Sequence, residues 1–191
     1  MLADGDVRFL HDPIGDGPRL GKRVLDIFES AKSSIVIESP YLVPSRSLRL
    51  LIERKPAQGV RVQIVTNSIR STDGLVPYAG YLKYGRRLVR SGVDVREFQG
   101  PDMLHAKSAV VDGRIVLIGS YNIDPRSQYL DLEAMCVAED EELARKLLDA
   151  INLHVENAWQ VDPRRAPRMP LATSWRLGAV KLILPFVEGQ L

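Results

Sequence analysis

Hydrophobic positions along this chain follow two alternating periods, and each period predicts one kind of element. Apolar residues at helical spacing predict helices at residues 18–28, 47–54, 77–90 and 139–159. Short β-branched or alternating runs predict strands at residues 7–10, 34–38, 60–66, 93–98, 106–111, 114–118 and 132–138. Because helices and strands alternate along the chain, we predict an α/β domain whose mixed β-sheet is flanked by helices on both faces.

A turn signal separates the strands predicted at residues 106–111 and 114–118. Asp112-Gly113 is typical of a tight hairpin, because both residues tolerate positive φ. Strands joined in this way are antiparallel, so the sheet is expected to be mixed rather than wholly parallel. Turn chemistry alone explains Asp112, and we therefore assign it a structural role.

The chain changes character after residue 160. Residues 1–160 hold the predicted elements and are interpreted as one domain, whereas residues 161–174 are rich in proline and arginine, which predicts an extended linker. Residues 175–191 form an apolar tail, too short to cross a bilayer, which takes ~20 residues. Two interpretations of this tail remain: a helix at the membrane surface, and a helix docked on protein, which is slightly favoured.

Composition and charge exclude few classes of binding partner. With 26 Lys and Arg against 24 Asp and Glu, the net charge is +2, so nucleic acid is less favoured than for a strongly basic domain. The single cysteine, Cys136, has no internal disulfide partner and is interpreted as a small buried residue. No secretory signal pattern is visible at the N-terminus, which disfavours an extracellular location.

The richest chemistry lies in residues 105–122. In the predicted strand, His105 and Lys107 share one face, and the returning strand brings Gly119, Ser120 and Asn122 back beside them. A neutral imidazole can attack phosphorus, while an ammonium, a hydroxyl and an amide can hold the oxygens whose charge grows in the transition state. Gly119 permits close backbone approach. The pattern predicts a phosphoryl-transfer site without a metal.

A nucleophilic histidine works best when a carboxylate orients its other ring nitrogen. Glu133, in an otherwise apolar run, is the best candidate for this role, because an unpaired charge would be costly to bury there. The other two histidines, His11 and His154, have no lysine two positions later. Both are interpreted as ordinary surface or packing residues.

The spacing HxKxxxxDxxxxxxGSxN in residues 105–122 resembles the signature of the phospholipase D superfamily. The resemblance extends to residues 37–44, to residues 66–68 with Asp73, and to residues 122–127 and 184–188. These stretches are similar to the C-terminal half of bacterial cardiolipin synthases. Nearly the whole chain is covered.

The resemblance implies a double displacement without metal or cofactor. His105, or its counterpart in a second motif, would attack the phosphodiester to form a phosphohistidine. The other histidine would protonate the leaving alcohol and then activate the acceptor. Lys107, Ser120 and Asn122 match the phosphate-holding positions, and Glu133 matches the acidic residue that supports the histidine. The implied substrate is an anionic phospholipid, at the cytoplasmic side of the inner membrane, with peripheral contact through residues 175–191.

One histidine cannot serve at once as nucleophile and as leaving-group acid, so the family needs two facing motifs. This chain has one. It is therefore a fragment of a longer enzyme, a subunit that pairs with a separate half, or a homodimer that builds one site from two copies of His105. We favour a separated or truncated C-terminal half. The alternatives to phosphatidyl transfer are a homodimeric phosphodiesterase acting on nucleic acid and a non-catalytic partner half.

Overall fold

A computed structural model describes residues 6–15, 17–164, 178 and 180 of the chain. The eight strands within residues 6–164 are β1 Asp6–His11, β2 Ser34–Glu38, β3 Arg61–Asn67, β4 Asp94–Phe98, β5 Ser108–Val111, β6 Ile115–Gly119, β7 Ala134–Glu139 and β8 Ala158–Gln160. The α-helices in the same range are α1 Leu20–Ser30, α2 Arg46–Arg54, α3 Leu75–Arg90, α4 Pro125–Tyr129 and α5 Glu141–Glu156. A 3₁₀ turn, Pro56–Gln58, follows α2.

The described strands form one sheet in the order β1-β7-β6-β5-β2-β3-β4-β8. Only the β2–β3 and β3–β4 pairs are parallel, because α2 and α3 carry the chain back across the sheet between these strands. All other neighbours are antiparallel. The predicted mixed α/β class is confirmed.

Helices cover both faces of the sheet. The alternation of side chains along β2 places Ile35 and Ile37 in the larger core, beneath α1, α2 and α3. Val36 points to the opposite face, where it packs with Ile151 of α5. Burial on both faces explains why this strand is a continuous apolar run rather than an alternating one.

One edge of the sheet collects the ends of most strands. The pairings make β2, β3, β4 and β6 end on the side of the sheet on which β5 and β7 begin. We call this side, where the strand ends meet, the strand-end edge. In register, Glu38 of β2 pairs with Ser108 of β5, Ser108 with Ile118 of β6, and Gly119 with Met135 of β7. Polar residues that follow or precede these positions are thereby brought to one place.

Two of the predicted elements have different bounds, and one helix was not predicted. The helix predicted at 139–159 ends at Glu156, because Asn157 caps it and Ala158–Gln160 pair with β4 as an edge strand. The strand predicted from residue 132 starts at Ala134, because the backbone N–H of Glu133 is bound by the Asp12 carboxylate. Helix α4 was not predicted, although Asp124-Pro125 is a helix-start signal: Asp124 caps it and proline is its first residue.

Cys136 was predicted to be buried, and it is exposed. It lies in β7 between Phe9 of β1 and Ile118 of β6, which are 65% and 45% exposed. On this face α5 packs over Val116 and Ala138 and does not cover the row through Cys136. The apolar neighbours in sequence indicated burial, but α5 begins just after β7 and runs over β6, β5, β3 and β4 instead.

The proposed linker and tail lie mostly outside the described residues. Of residues 165–191 the structure describes Gly178 and Val180, and Val180 is half-buried against the larger core. Within the described parts of the chain, no helix has both the length and the apolar character that crossing a bilayer requires.

Candidate active site

His105 lies at the strand-end edge, and its side chain is exposed. The strand predicted from residue 106 begins at Ser108 instead, so His105 and Lys107 lie in the segment that leads into it. The backbone still runs alongside β6, because Gly119 donates its N–H to the carbonyl of Lys107 at 3.1 Å. We call residues 104–108 the His105 segment.

Asn67, the last residue of β3, holds the start of the His105 segment. Its Oδ1 accepts the backbone N–H of Leu104 at 3.0 Å, and its Nδ2 donates to the Leu104 carbonyl at 2.8 Å. The same Nδ2 donates to the carbonyl of Pro40 at 3.1 Å. These bonds hold the backbone at Leu104, ahead of the start of β5.

The Lys107 ammonium lies among carboxylates. Its Nζ donates to the carbonyl of His105 at 2.9 Å. Burial lowers the pKa of Lys107, and the negative charges of Glu133, Asp124 and Asp73 oppose that shift. Asp73 also accepts a hydrogen bond from the Tyr41 hydroxyl at 3.1 Å, and burial together with this bond raises the pKa of Tyr41 to about 12.

Gly119 and Ser120 lie tightly against the start of β7. A Cβ on Gly119 would lie 2.7 Å from the Cα of Met135 and still closer to the carbonyl oxygen of Ala134, so no side chain fits there. Ser120 and Ala134 exchange two bonds: the Ser120 N–H donates to the Ala134 carbonyl at 2.9 Å, and the Ala134 N–H to the Ser120 hydroxyl at 3.0 Å. This pairing fixes the Ser120 hydroxyl at the edge.

Glu133 is a buried carboxylate held by hydroxyl groups. Ser120 donates to its Oε2, and Ser127 donates to its Oε1 at 2.6 Å. Asp12 binds the Glu133 backbone in both directions: its Oδ2 accepts the Glu133 N–H, and its own N–H donates to the Glu133 carbonyl, both at 2.9 Å. Among the described contacts, none joins Glu133 to the ring of His105, so an orienting role for Glu133 stays a prediction.

Asp12 also fixes the start of α1. Its Oδ1 accepts the backbone N–H groups of Arg19 and Leu20, the latter at 2.6 Å. Burial opposes its ionisation, but the hydrogen bonds from Glu133, Arg19 and Leu20 prevail and lower the pKa of Asp12. One buried carboxylate thus connects α1 to the backbone of Glu133.

Asn122 follows the Gly119-Ser120 pair and faces the same edge. Its backbone N–H donates to the Ser127 hydroxyl at 3.1 Å. Its side-chain Oδ1 is buried, and no group of the described residues donates to it. Asp124 begins the next helix by accepting the Ser127 N–H at 2.8 Å, and burial raises the pKa of Asp124 although these bonds oppose the shift.

Asp112 lies at the opposite edge of the sheet, in the β5–β6 turn. With Gly113 it has positive φ, at 53° and 66°. Its carboxylate accepts the backbone N–H groups of Lys32, Ser33 and Ser34 at 2.9, 2.7 and 2.9 Å. Burial opposes ionisation, yet these bonds lower the pKa of Asp112 to about 2. The contacts are those of an anchor between the turn and β2.

The remaining histidines lie apart from one another. The ring of His11 contacts Phe9, with centroids 5.7 Å apart. His154 of α5 packs edge-on against Phe98 at 5.3 Å, and its Nδ1 lies 2.5 Å from Oε1 of the buried Glu38. In the described parts of the chain, no three His, Cys, Asp or Glu side chains cluster as metal ligands would.

Sequence reasoning missed three residues that shape this edge: Asn67, Ser127 and Glu38. Ser127 had a detectable signal, since a serine three residues after a helix-capping aspartate is placed to bond near the cap. Asn67 and Glu38 end strands that were predicted, but their partners are 37 and 116 residues away in sequence. No local pattern indicates such contacts.

Residues 24–154 match the family model described as "Cardiolipin synthase, PLD-like domain". The chain belongs to this family. Cardiolipin synthase C of Escherichia coli is 35% identical over 161 residues, which cover 74% of this chain and 34% of that protein. The chain spans about a third of the length of the curated relatives that it matches. The resemblance drawn from the spacing of residues 105–122 is confirmed at family level.

Solved structures with the cardiolipin synthase PLD-like fold differ in how much of their length the chain covers. Phosphatidylserine synthase of Haemophilus influenzae Rd KW20 has a TM-score of 0.82 at 22% identity, over 97% of this chain and 48% of that one. Nuc, a phospholipase D family member from Salmonella typhimurium, has a TM-score of 0.68 at 22% identity, over 83% of this chain and 99% of that one. The same fold therefore occurs as half of one protein and as nearly all of another.

Proposed function

We propose that this chain supplies one half of a phosphatidyl-transfer site of the cardiolipin synthase kind, with His105 as the nucleophile. The observation that carries the proposal is that His105, Lys107, Ser120 and Asn122 all lie where β6 ends and β5 begins, with the buried Glu133 bonded to Ser120 and close enough to act on the charge of Lys107. An exposed imidazole two residues from a cation suits attack on an anionic phosphodiester.

In the proposed reaction a ring nitrogen of His105 attacks phosphorus, and the bond to the leaving alcohol breaks. The leaving oxygen takes its proton from the histidine of a second motif half. That histidine then removes a proton from the acceptor alcohol, whose oxygen attacks phosphorus while the phosphorus–nitrogen bond breaks. If the acceptor is the glycerol headgroup of phosphatidylglycerol, the product is cardiolipin; if it is water, the outcome is hydrolysis.

The side chains around His105 have distinct proposed roles. Lys107 carries the positive charge that holds a non-bridging oxygen, and the Asn122 amide donates to another. Ser120 donates to the phosphate when its single hydroxyl proton turns from Glu133 to the substrate. Glu133 keeps the Ser120 hydroxyl in place and balances the charge of Lys107. Asp112 and Gly119 serve the scaffold.

The test supplies lipid vesicles of phosphatidylglycerol to the chain alone and to the chain mixed with a separately expressed N-terminal half of a related cardiolipin synthase. Cardiolipin formation that disappears in His105→Ala supports the proposal. Product formed equally well by His105→Ala contradicts it. A measurement of the molecular mass in solution, read together with the activity, distinguishes a homodimer from a separate C-terminal half. The homodimer is active alone, whereas the C-terminal half is active only in the mixture.

A homodimeric phosphodiesterase is the second candidate. Its support is the match to Nuc, in which this fold makes up nearly the whole chain, so one motif per chain is compatible with the fold. Its weakness is the net charge of +2 with almost equal numbers of acidic and basic residues. Cleavage of plasmid DNA without added metal by the chain alone, lost in His105→Ala, would favour it over phosphatidyl transfer.

A further inference from the structure

Within the His105 segment only Ser108 belongs to a strand, so residues 104–107 need further contacts to fix their conformation. An ordinary loop at a sheet edge samples several backbone conformations, yet a nucleophile needs one geometry. The segment is short, and each of its two ends is held by a buried polar side chain from a neighbouring strand. Residues 104 and 108 are both buried, whereas His105 between them is exposed.

The first end is held by Asn67. This side chain is 3% exposed, and all its hydrogen bonds here are to backbone. Its Oδ1 accepts the Leu104 N–H, and its Nδ2 donates to the carbonyls of Leu104 and Pro40. A planar amide that binds both backbone groups of one residue fixes the rotation of that residue as well as its position. Leu104 directly precedes His105, so the direction in which the imidazole leaves the backbone is set here.

The second end is held through Glu38 and His154. Ser108, which directly follows Lys107, lies opposite Glu38 in the β2–β5 pairing, and its hydroxyl donates to Oε2 of Glu38 at 3.3 Å. The other carboxylate oxygen of Glu38 is 2.5 Å from Nδ1 of His154, and the His154 ring is braced by Phe98. Glu38 is 3% exposed, and a carboxylate this deep requires such partners.

We infer that Asn67 and the Glu38–His154 pair are positioning residues that clamp the two ends of the His105 segment and so orient His105 and Lys107. Neither clamp touches substrate. His154, which lacks the lysine of a catalytic motif, thereby has a role in the site without taking part in the chemistry. The inference rests on the proposed function for its effect on turnover, but the orientation of His105 is a property of the protein alone.

One part of the test, an NMR measurement, therefore does not depend on catalytic activity. In ¹⁵N-labelled full-length chain, the imidazole signals of the three histidines are followed by NMR in Asn67→Asp, which keeps the size of Asn67 and its acceptor but loses both donated bonds. We expect the His105 signals to broaden or split while those of His11 stay unchanged. A single His105 signal with wild-type shift and width in a folded Asn67→Asp would overturn the inference.

Two amide substitutions of His154 test its bond to Glu38. In His154→Asn the amide nitrogen takes the place of Nδ1 and keeps the bond to Glu38, whereas in His154→Gln it takes the place of Nε2 and loses that bond. We expect His154→Gln to disturb the His105 signals and His154→Asn to preserve them. Equal behaviour of the two variants would contradict the assignment of this clamp.

The kinetic arm measures hydrolysis of bis(p-nitrophenyl) phosphate by the active form of the protein. We expect Asn67→Asp and His154→Gln to lower kcat about 10- to 100-fold with KM changed less than about threefold, because a misplaced nucleophile costs rate rather than binding. The matched control is Lys55→Met. Lys55 is equally buried and donates to two backbone carbonyls, those of Glu29 and Ala31 at 2.6 and 3.0 Å, away from His105.

The control separates positioning from stability. Lys55→Met is expected to lower the melting temperature while leaving kcat within about twofold of wild type. Loss of kcat in proportion to the loss of stability in all the variants would overturn the inference. If wild type lacks activity both alone and mixed with the N-terminal half, while the NMR signals behave as expected, the proposed function fails and the inference about the two clamps stands.

Discussion

Oε1 of Glu133 accepts a hydrogen bond from the Ser127 hydroxyl at 2.6 Å, and both residues are buried. The same hydroxyl accepts the backbone N–H of Asn122 at 3.1 Å, so it joins two candidate site residues. Ser127→Ala leaves a buried carboxylate oxygen short of a donor. We expect it to lower the free energy of unfolding by about 1–3 kcal/mol and phosphodiester turnover by about tenfold, measured by urea titration and initial rates.

Ser30→Ala is the control for Ser127→Ala. The exposed Ser30 hydroxyl donates to the Ile27 carbonyl at 2.7 Å, within the last turn of α1. Its removal is expected to change stability by less than about 0.5 kcal/mol and turnover not at all. Equal effects of the two substitutions would contradict the role given to Ser127.

Gly119→Ala tests the close approach of β6 to β7. The new Cβ would lie 2.7 Å from the Met135 Cα, against backbone that cannot move aside. We expect a loss of about 2–4 kcal/mol in unfolding free energy, together with loss of activity.

Gly113→Ala provides the comparison for that substitution. Gly113 has φ of +66° but nothing within 4 Å of its Cβ position, so only backbone strain of about 1 kcal/mol is expected. Thermal unfolding of both variants decides the matter. A smaller loss for Gly119→Ala than for Gly113→Ala would show that the strands do not approach as closely as described.

Asp112 predicts a specific dependence of stability on pH. Its pKa is about 2 in the folded protein, below the ordinary 3.8, so its contribution is fully present above pH 4–5 and is lost as the pH falls towards 2. We expect Asp112→Asn to be about 1–2 kcal/mol less stable than wild type at pH 7, and the difference to shrink by pH 2–3. Urea unfolding across this range measures it.

The control for Asp112→Asn is Asp26→Asn, which removes an exposed carboxylate paired with Lys22 at 2.7 Å. An exposed pair contributes little, so its loss is expected to cost less than about 0.5 kcal/mol at pH 7. A pH-independent difference between wild type and Asp112→Asn would count against the anchoring role.

The lowered pKa of Lys107 predicts how kcat/KM falls at alkaline pH. Burial lowers its pKa below the ordinary 10.5, so the ammonium loses its proton at a lower pH than a free lysine does. We expect kcat/KM to decline on the alkaline side below pH 10.5. In Lys107→Arg the residual activity should keep its value to higher pH, because guanidinium stays protonated. An unchanged alkaline limb in Lys107→Arg would assign that limb to another group.

The fold was predictable because its signals are local. The buried run at Ser34–Glu38 and the Asp112-Gly113 turn each specify their own element, and the alternation of elements leaves few topologies. Edge strand β8 carries no such signal: three residues pair with β4 only because α5 delivers them there. Cys136 was placed wrongly for a related reason, since its exposure depends on which strands α5 covers.

The candidate site was predictable to the extent that it lies in one motif. His105, Lys107, Ser120 and Asn122 are close in sequence, and a hairpin brings them together. The residues that hold them are not close in sequence. Asn67 reaches Leu104 and Asp12 reaches Glu133 only after the sheet has assembled, so these contacts become visible in the structure alone.

His105 is expected to become covalently phosphorylated during turnover. The measurement for this is to stop the reaction of the active protein with a ³²P-labelled phosphodiester in alkaline detergent and to locate the protein-bound label. We expect an acid-labile, alkali-stable label on the peptide that contains His105, absent in His105→Gln and retained in His154→Asn. A label of the same amount in His105→Gln, or full turnover by that variant, would contradict it.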